Sequence, residues 1–404
     1  MKRSLRHTLG ATAAAALLVA GCSQSMSTSQ GMASPAASTS ATQATTLRTT
    51  LNALFAEHVV LAGAATGAAL DGRQAEFKAA AGALDANSVA IAQAIGSVYG
   101  KDAEAAFLPL WRKHIGFVVD YTVGAASGDR AKQDKAVGEL VAYTQDFGAF
   151  LAAANPNLPK AVVADLVKHH VVTLKDVVDA QAAKDHARAY TALRTASAHM
   201  GMIADPLAGA IAKQFPDRFP GSTAASSAGL RSALNVAMRE HVYLAAAATG
   251  AALGGREGEF KAAAGALDAN SVAIAQAIGS VYGKDAEAAF LPLWRKHIGF
   301  VVDYTVGAAS GDRAKQDTAV SELVAYTQDF GAFLAAANPN LPKAVVADLV
   351  KHHVVTLKTV IDAQAAKDPA RAYTAARTAA SHMQQIADPL AEAIVKQFPD
   401  RYRG

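Results

Sequence analysis

The sequence predicts an all-α protein made of two tandem helical-bundle lobes, each of about six antiparallel helices arranged as three αα-hairpins. Composition is the first observation behind this expectation. Of 404 residues, 51% are hydrophobic but only 6% aromatic, and an apolar fraction dominated by alanine favours closely packed helices over a sandwich or barrel. Periodicity is the second: apolar residues recur at three-four spacing between Gly, Pro and Asp breaks, and no long stretch alternates with period two. Repetition is the third. Glu76 to Asp134 recurs unchanged as Glu259 to Asp317, an offset of 183, and Glu139 to Lys175 recurs as Glu322 to Lys358, so the chain is a tandem duplication.

Residues 1–21 read as a lipoprotein signal peptide. A basic start, Lys2, Arg3 and Arg6, precedes about a dozen apolar residues, too few to span ~30 Å of hydrocarbon, and small residues lead to the only cysteine. Val19-Ala20-Gly21-Cys22 resembles a bacterial lipobox, which implies cleavage before Cys22 and lipid on that residue, and hence an exported protein held at the cell envelope by its membrane anchor. The membrane is the outer one in a two-membraned bacterium and otherwise the outer face of the plasma membrane. With Cys22 lipidated, no disulfide or thiolate site remains. Residues 22–46 are rich in Ser, Thr, Ala and Gln and carry no charge, a composition that reads as a flexible tether.

Lobe 1 is expected over 47–220 and lobe 2 over 230–404, joined by a flexible Ser/Ala/Gly linker at 221–229. Within lobe 1, breaks at Asp71-Gly72, Tyr99-Gly100, Gly128-Asp129, Asn155-Pro156, Lys184-Asp185 and Phe215-Pro216 separate six helices of roughly 20–28 residues. Glycines suit the helix ends, and Asp102 and Asp129 stand where an N-cap would accept backbone N–H groups. Short connections make successive helices antiparallel neighbours.

A finer period carries the functional expectation. His58, His114 and His170 are spaced by 56 and 56, each with Leu four residues before it and Val or Ile directly after it. Each therefore sits on the apolar stripe of the first helix of a hairpin and faces inward. His199 is a fourth inward candidate, 29 residues after His170, as Asn87 follows His58 and Tyr143 follows His114 by 29. The second copy repeats the set as His241, His297, His353 and His382. Adjacent His169 is expected at the surface, since neighbours in a helix do not share a face.

Two readings of these histidines stand side by side. In one, each is a core residue whose ring N–H finds Asn, Tyr, Asp or a carbonyl, fixing helix register in a structural or interaction lipoprotein with an envelope protein partner. In the other, three or four imidazoles converge with Glu57, Asp85 or Asp146 on a divalent transition metal, Zn, Cu, Fe or Ni, or line a pocket for a small ligand. The Glu-x-x-His, His-Glu-x-x-His and Cys-x-x-Cys templates are absent, as are the nucleophile elbow and the Gly-rich phosphate and dinucleotide loops, so no catalytic residue is assigned and no enzyme is expected. Removing Lys2, Arg3 and Arg6 from the 38 bases leaves 35 against 34 acids, a net +1, which gives a nucleic-acid partner no electrostatic support.

The segments EHVVL at 57–61, WRKHIGF at 111–117, NPNLP at 155–159, HHVVTL at 169–174 and HMGMIADPLAGAIAKQFPDRF at 199–219 resemble a family of exported bacterial all-helical proteins. The resemblance covers both lobes. It implies an exported helical architecture and adds no catalytic residue.

Overall fold

The computed structural model describes residues 40–402. The lipobox, Cys22 and most of the stretch read as a tether lie outside the described residues. The fold is all-α, with no strand among the described residues. In the first repeat the helices are α1 (Gln43–Leu70), α2 (Gln74–Tyr99), α3 (Lys101–Ser127), α4 (Arg130–Ala154), α5 (Lys160–Ala182) and α6 (His186–Gln214). The second repeats them as α7 (Ser226–Leu253), α8 (Glu257–Tyr282), α9 (Lys284–Ser310), α10 (Arg313–Ala337), α11 (Lys343–Ala365), α12 (Pro369–His382) and α13 (Gln384–Gln397). The last two match α6 of the first copy, with an interruption at Met383.

Local chemistry sets the boundaries. Asp129 and Asp185 cap α4 and α6 by accepting the backbone N–H groups of Lys132 and Arg188, both at 3.0 Å. Gly128 ends α3 in the left-handed region at φ 70°, a conformation glycine adopts without a Cβ clash. Asp102, expected as the cap, lies inside the first turn of α3, two residues past the N-cap Gly100, where its charge still favours the helix N-terminus. Two boundaries differ from expectation. α1 starts at Gln43 because Thr42 is extended and its hydroxyl accepts the Thr45 N–H at 3.2 Å. α7 starts inside the stretch read as a linker, and the connection before it is held by Arg48, which donates to the Thr223 carbonyl at 2.8 Å.

Each repeat is a closed cycle in which every helix packs on its sequence neighbours and α6 returns to α1. The first helices of the three hairpins, α1, α3 and α5, also touch one another and form the inner triangle, which places one inward histidine from each at the axis. α1 is long and apolar enough to cross a membrane by length and composition, and here it is packed in the bundle interior.

The repeats share one continuous apolar core. α1 packs on α7, α2 on α12 and α6 on α8, a reciprocal arrangement of the kind that two-fold symmetric subunits make. Its polar contacts are reciprocal too: Arg377 reaches Glu57 and Arg194 reaches Glu240, each at 2.9 Å. The entry segments exchange in the same sense. Arg231 of the second repeat donates to the Ser40 carbonyl at 3.0 Å, as Arg48 of the first does to Thr223.

Candidate metal centre

The inner triangle brings His58, His114 and His170 together. All three are buried, and one ring nitrogen from each lies within 4.8 Å of the others. His58 Nε2 and His114 Nε2 are 3.3 Å apart, and the ring centroids of His170 are 5.9 and 6.4 Å from theirs. The second repeat reproduces the group with His241, His297 and His353, again with Nε2 atoms of the first pair 3.3 Å apart. A tetrahedral ion with bonds of ~2.0–2.1 Å sets its ligand nitrogens about 3.3–3.4 Å apart. One edge of each cluster already has that length, and His170 has to close by about an ångström.

The surroundings of the clusters are apolar and aromatic. Trp111 packs on His58 and His114 at centroid distances of 4.9 and 4.7 Å, and Tyr143 lies 5.2 Å from His114. Burial, reinforced by the neighbouring imidazoles, holds His58 well below the usual histidine range. It lowers His114 to about 3 and His170 to about 4, with the same values at His297 and His353. The rings are therefore neutral: His58 and His114 share one Nε2–H···Nε2 hydrogen bond, whose proton an ion between them would displace, and both nitrogens of His170 are without a partner. His114 Nδ1 faces the Trp111 carbonyl of its own helix, which favours the protonated ring without reaching hydrogen-bond geometry.

In the first repeat, buried polar atoms without partners lie mostly around this cluster, with Thr49 Oγ1 and Asn87 Oδ1 outside it. His58 Nδ1, both nitrogens of His170, Trp111 Nε1 and the Tyr143 hydroxyl are buried without hydrogen-bond partners. Orphaned buried polar atoms are uncommon in folded interiors and each costs about 1–3 kcal/mol. Their concentration around three neutral imidazoles fits a site built for a ligand, and the donor set fits a transition metal.

The fourth predicted ligand does not join the group. His199 Nε2 approaches the Leu166 carbonyl at 3.2 Å and its ring stacks on exposed His169 at 4.3 Å. His382 does the same with Leu349 and His352. Both lie on outer helices, so the same apolar stripe that aims them inward stops them at the helix in front. The expected carboxylates are also elsewhere. Asp85 forms a bidentate pair with Arg112 at the surface, and Asp146 pairs with Lys113. Asn87 serves Glu57 and the Leu54 carbonyl and leaves His58 alone.

Glu57 belongs to a different network that the sequence reading missed. It is 6% exposed and accepts from Asn87, Tyr243 and Arg377, the last two from the second repeat. Burial alone would raise its carboxyl, but these donors outweigh it and the group stays below the ordinary carboxylate range. The signal available in the sequence was that Glu57 is the single acid in α1.

Two larger cavities flank these features. A cleft of about 540 Å³ runs between α2 and α3 down to His58 and His114, lined otherwise by residues such as Ala65, Leu84, Ile115 and Val118. Another, of about 530 Å³, lies between the repeats and reaches neither histidine cluster. The cleft is the one that bears on the imidazoles. Comparison with protein-family models, with curated proteins and with solved structures gave no match to this chain.

Proposed function

We propose that this is an exported, lipid-anchored envelope protein in which each repeat holds one transition-metal ion on its triple-histidine cluster. The observation that carries the metal reading is the convergence, twice in one chain, of three neutral buried imidazoles with unpartnered nitrogens. A coincidence of register pins would leave each ring bonded to its own partner, as His199 and His382 are. The anchor reading rests on the Val19-Cys22 lipobox and the uncharged segment after it.

Metal analysis of the purified full chain after exposure to Zn, Cu, Ni or Fe salts tests the first part. Two ions per chain are expected, with a rise in stability of about 3 kcal/mol for each occupied site at a hundredfold excess over the dissociation constant. His114→Leu should lower the count to one, because the second cluster remains as an internal control. No bound ion and an unchanged melting temperature would end the metal reading. Metabolic labelling with a fatty acid tests the second part: label should enter the native chain and be lost in Cys22→Ala.

A structural or interaction lipoprotein is the second reading, and the carbonyl contacts of His199 and His382 favour it, since they show histidine used as an internal strut in this fold. It predicts one stoichiometric envelope protein that copurifies with the metal-free chain.

A further inference from the structure

We infer that the ion is monovalent, cuprous copper, and that the clusters select it over divalent metals. This inference rests on the metal reading above and concerns which ion the cluster can bear. Three neutral imidazoles add no negative charge, so a divalent ion would bring a net charge of two into a fully buried apolar enclosure, at a cost that only an anionic ligand could offset.

Among the described residues no such ligand joins the histidines. The acids nearest in the bundle are committed: Glu57 to Arg377, Asp85 to Arg112, Asp146 to Lys113 and Asp179 to Tyr121 and Lys175. A hydroxide could enter by the cleft that reaches His58 and His114, where the side-chain donors are Gln74, Arg112 and two threonines. The two threonine hydroxyls on that wall already give their hydrogens away, Thr66 to the Gln181 side-chain oxygen at 2.7 Å and Thr122 to the Val118 carbonyl at 2.8 Å. Arg112 at the rim is held by both oxygens of Asp85. A water-derived anion at the inner end of this cleft would have no threonine hydrogen to accept and would depend on the water that enters with it.

A singly charged ion avoids that cost, and the other groups present suit it. The Trp111 ring borders two of the imidazoles and is itself stacked on Phe55 and Phe107, so the wall of the site is aromatic and uncharged. In the second repeat a void of about 30 Å³ is lined by His297, His353, Trp294, Met238 and Met383 together. Thioether groups on the wall of the histidine site are soft donors, which favour Cu(I) over Zn(II) or Fe(II). Met383 has its counterpart in Met200, which is equally buried.

The test uses the metal-free full chain under anaerobic reducing conditions, titrated with Cu(I) in the presence of a chromogenic Cu(I) chelator. Ag(I) serves as a redox-inert probe of the same charge. Two Cu(I) or two Ag(I) per chain should be withheld from the chelator and kept against about a hundredfold excess of Zn(II). Two Zn(II) bound as tightly as Cu(I) would overturn the monovalent assignment and leave the metal reading standing. Failure to hold any of the three ions would remove both.

Discussion

Replacing His170 and His353 together by leucine should make the metal-free protein more stable, and the size of the gain can be worked from the cluster. Both rings are buried, and between them three nitrogens lack partners: Nδ1 and Nε2 of His170 and Nδ1 of His353. Each unsatisfied nitrogen costs about 1–3 kcal/mol, so removing three returns roughly 3–9 kcal/mol before packing is considered. Leucine is close to imidazole in volume but not in shape, and such swaps in a packed core cost up to about 1.5 kcal/mol per site. With the full packing cost at both sites the expected net gain is about 0–6 kcal/mol for the pair, with metal-dependent stabilisation abolished in the same variant. Equilibrium urea denaturation of chelator-treated protein reads it as a raised midpoint at constant slope. Were the histidines register pins, the same substitutions would cut real hydrogen bonds; a loss of 2 kcal/mol or more in the metal-free state would refute the reasoning.

Three further outcomes follow from the same coordinates. His170 and His353, lowered from 6.5 to about 4, refuse protons that the unfolded chain accepts, so stability present above pH 6.5 is lost as the pH falls toward 4, by about 3 kcal/mol for each ring; acid unfolding followed by circular dichroism should shift to lower pH in the leucine pair. Arg377→Ala leaves Glu57 with only Asn87 and Tyr243 as donors in a site 6% exposed, and should cost about 2–4 kcal/mol by urea denaturation. Gly148→Ala should cost about 2 kcal/mol in the same assay, because its Cβ would stand 2.7 Å from the Lys160 carbonyl, a backbone atom that cannot rotate away where α4 meets α5.

How far the sequence could be read depended on whether a feature was local or shared between helices. Breaks such as Gly128-Asp129 and Lys184-Asp185 act within a few residues, so the helices fall almost where their turn chemistry places them. The 56-residue period of His58, His114 and His170 was legible for a related reason: it repeats a hairpin, and equivalent helices of three successive hairpins form the inner triangle. His199 shares their stripe pattern yet ends on a carbonyl, since periodicity tells that a side chain faces inward without telling which layer of the bundle its helix occupies.

The contact between the repeats escaped the same method on physical grounds. An all-round apolar helix such as α1 has to be covered, but its small residues say little about by what: Gly63 and Gly67 receive Leu193 and Gln181 of the same repeat, while α7 of the other repeat packs on the same helix. The choice is made by charge at a distance: a lone acid on α1 needs a cation, and Arg377 lies 320 residues further on. Because Arg194 answers Glu240 in the same way, duplication supplied both halves of the contact at once. Divergence then acted on one half. Val60 has become Tyr243 in the second copy, and its hydroxyl reaches back to Glu57 at 2.6 Å. The change strengthens a buried charge at the seam and leaves the three histidines of each cluster in place, while the wall beside them differs at one position, Phe55 in the first repeat and Met238 in the second.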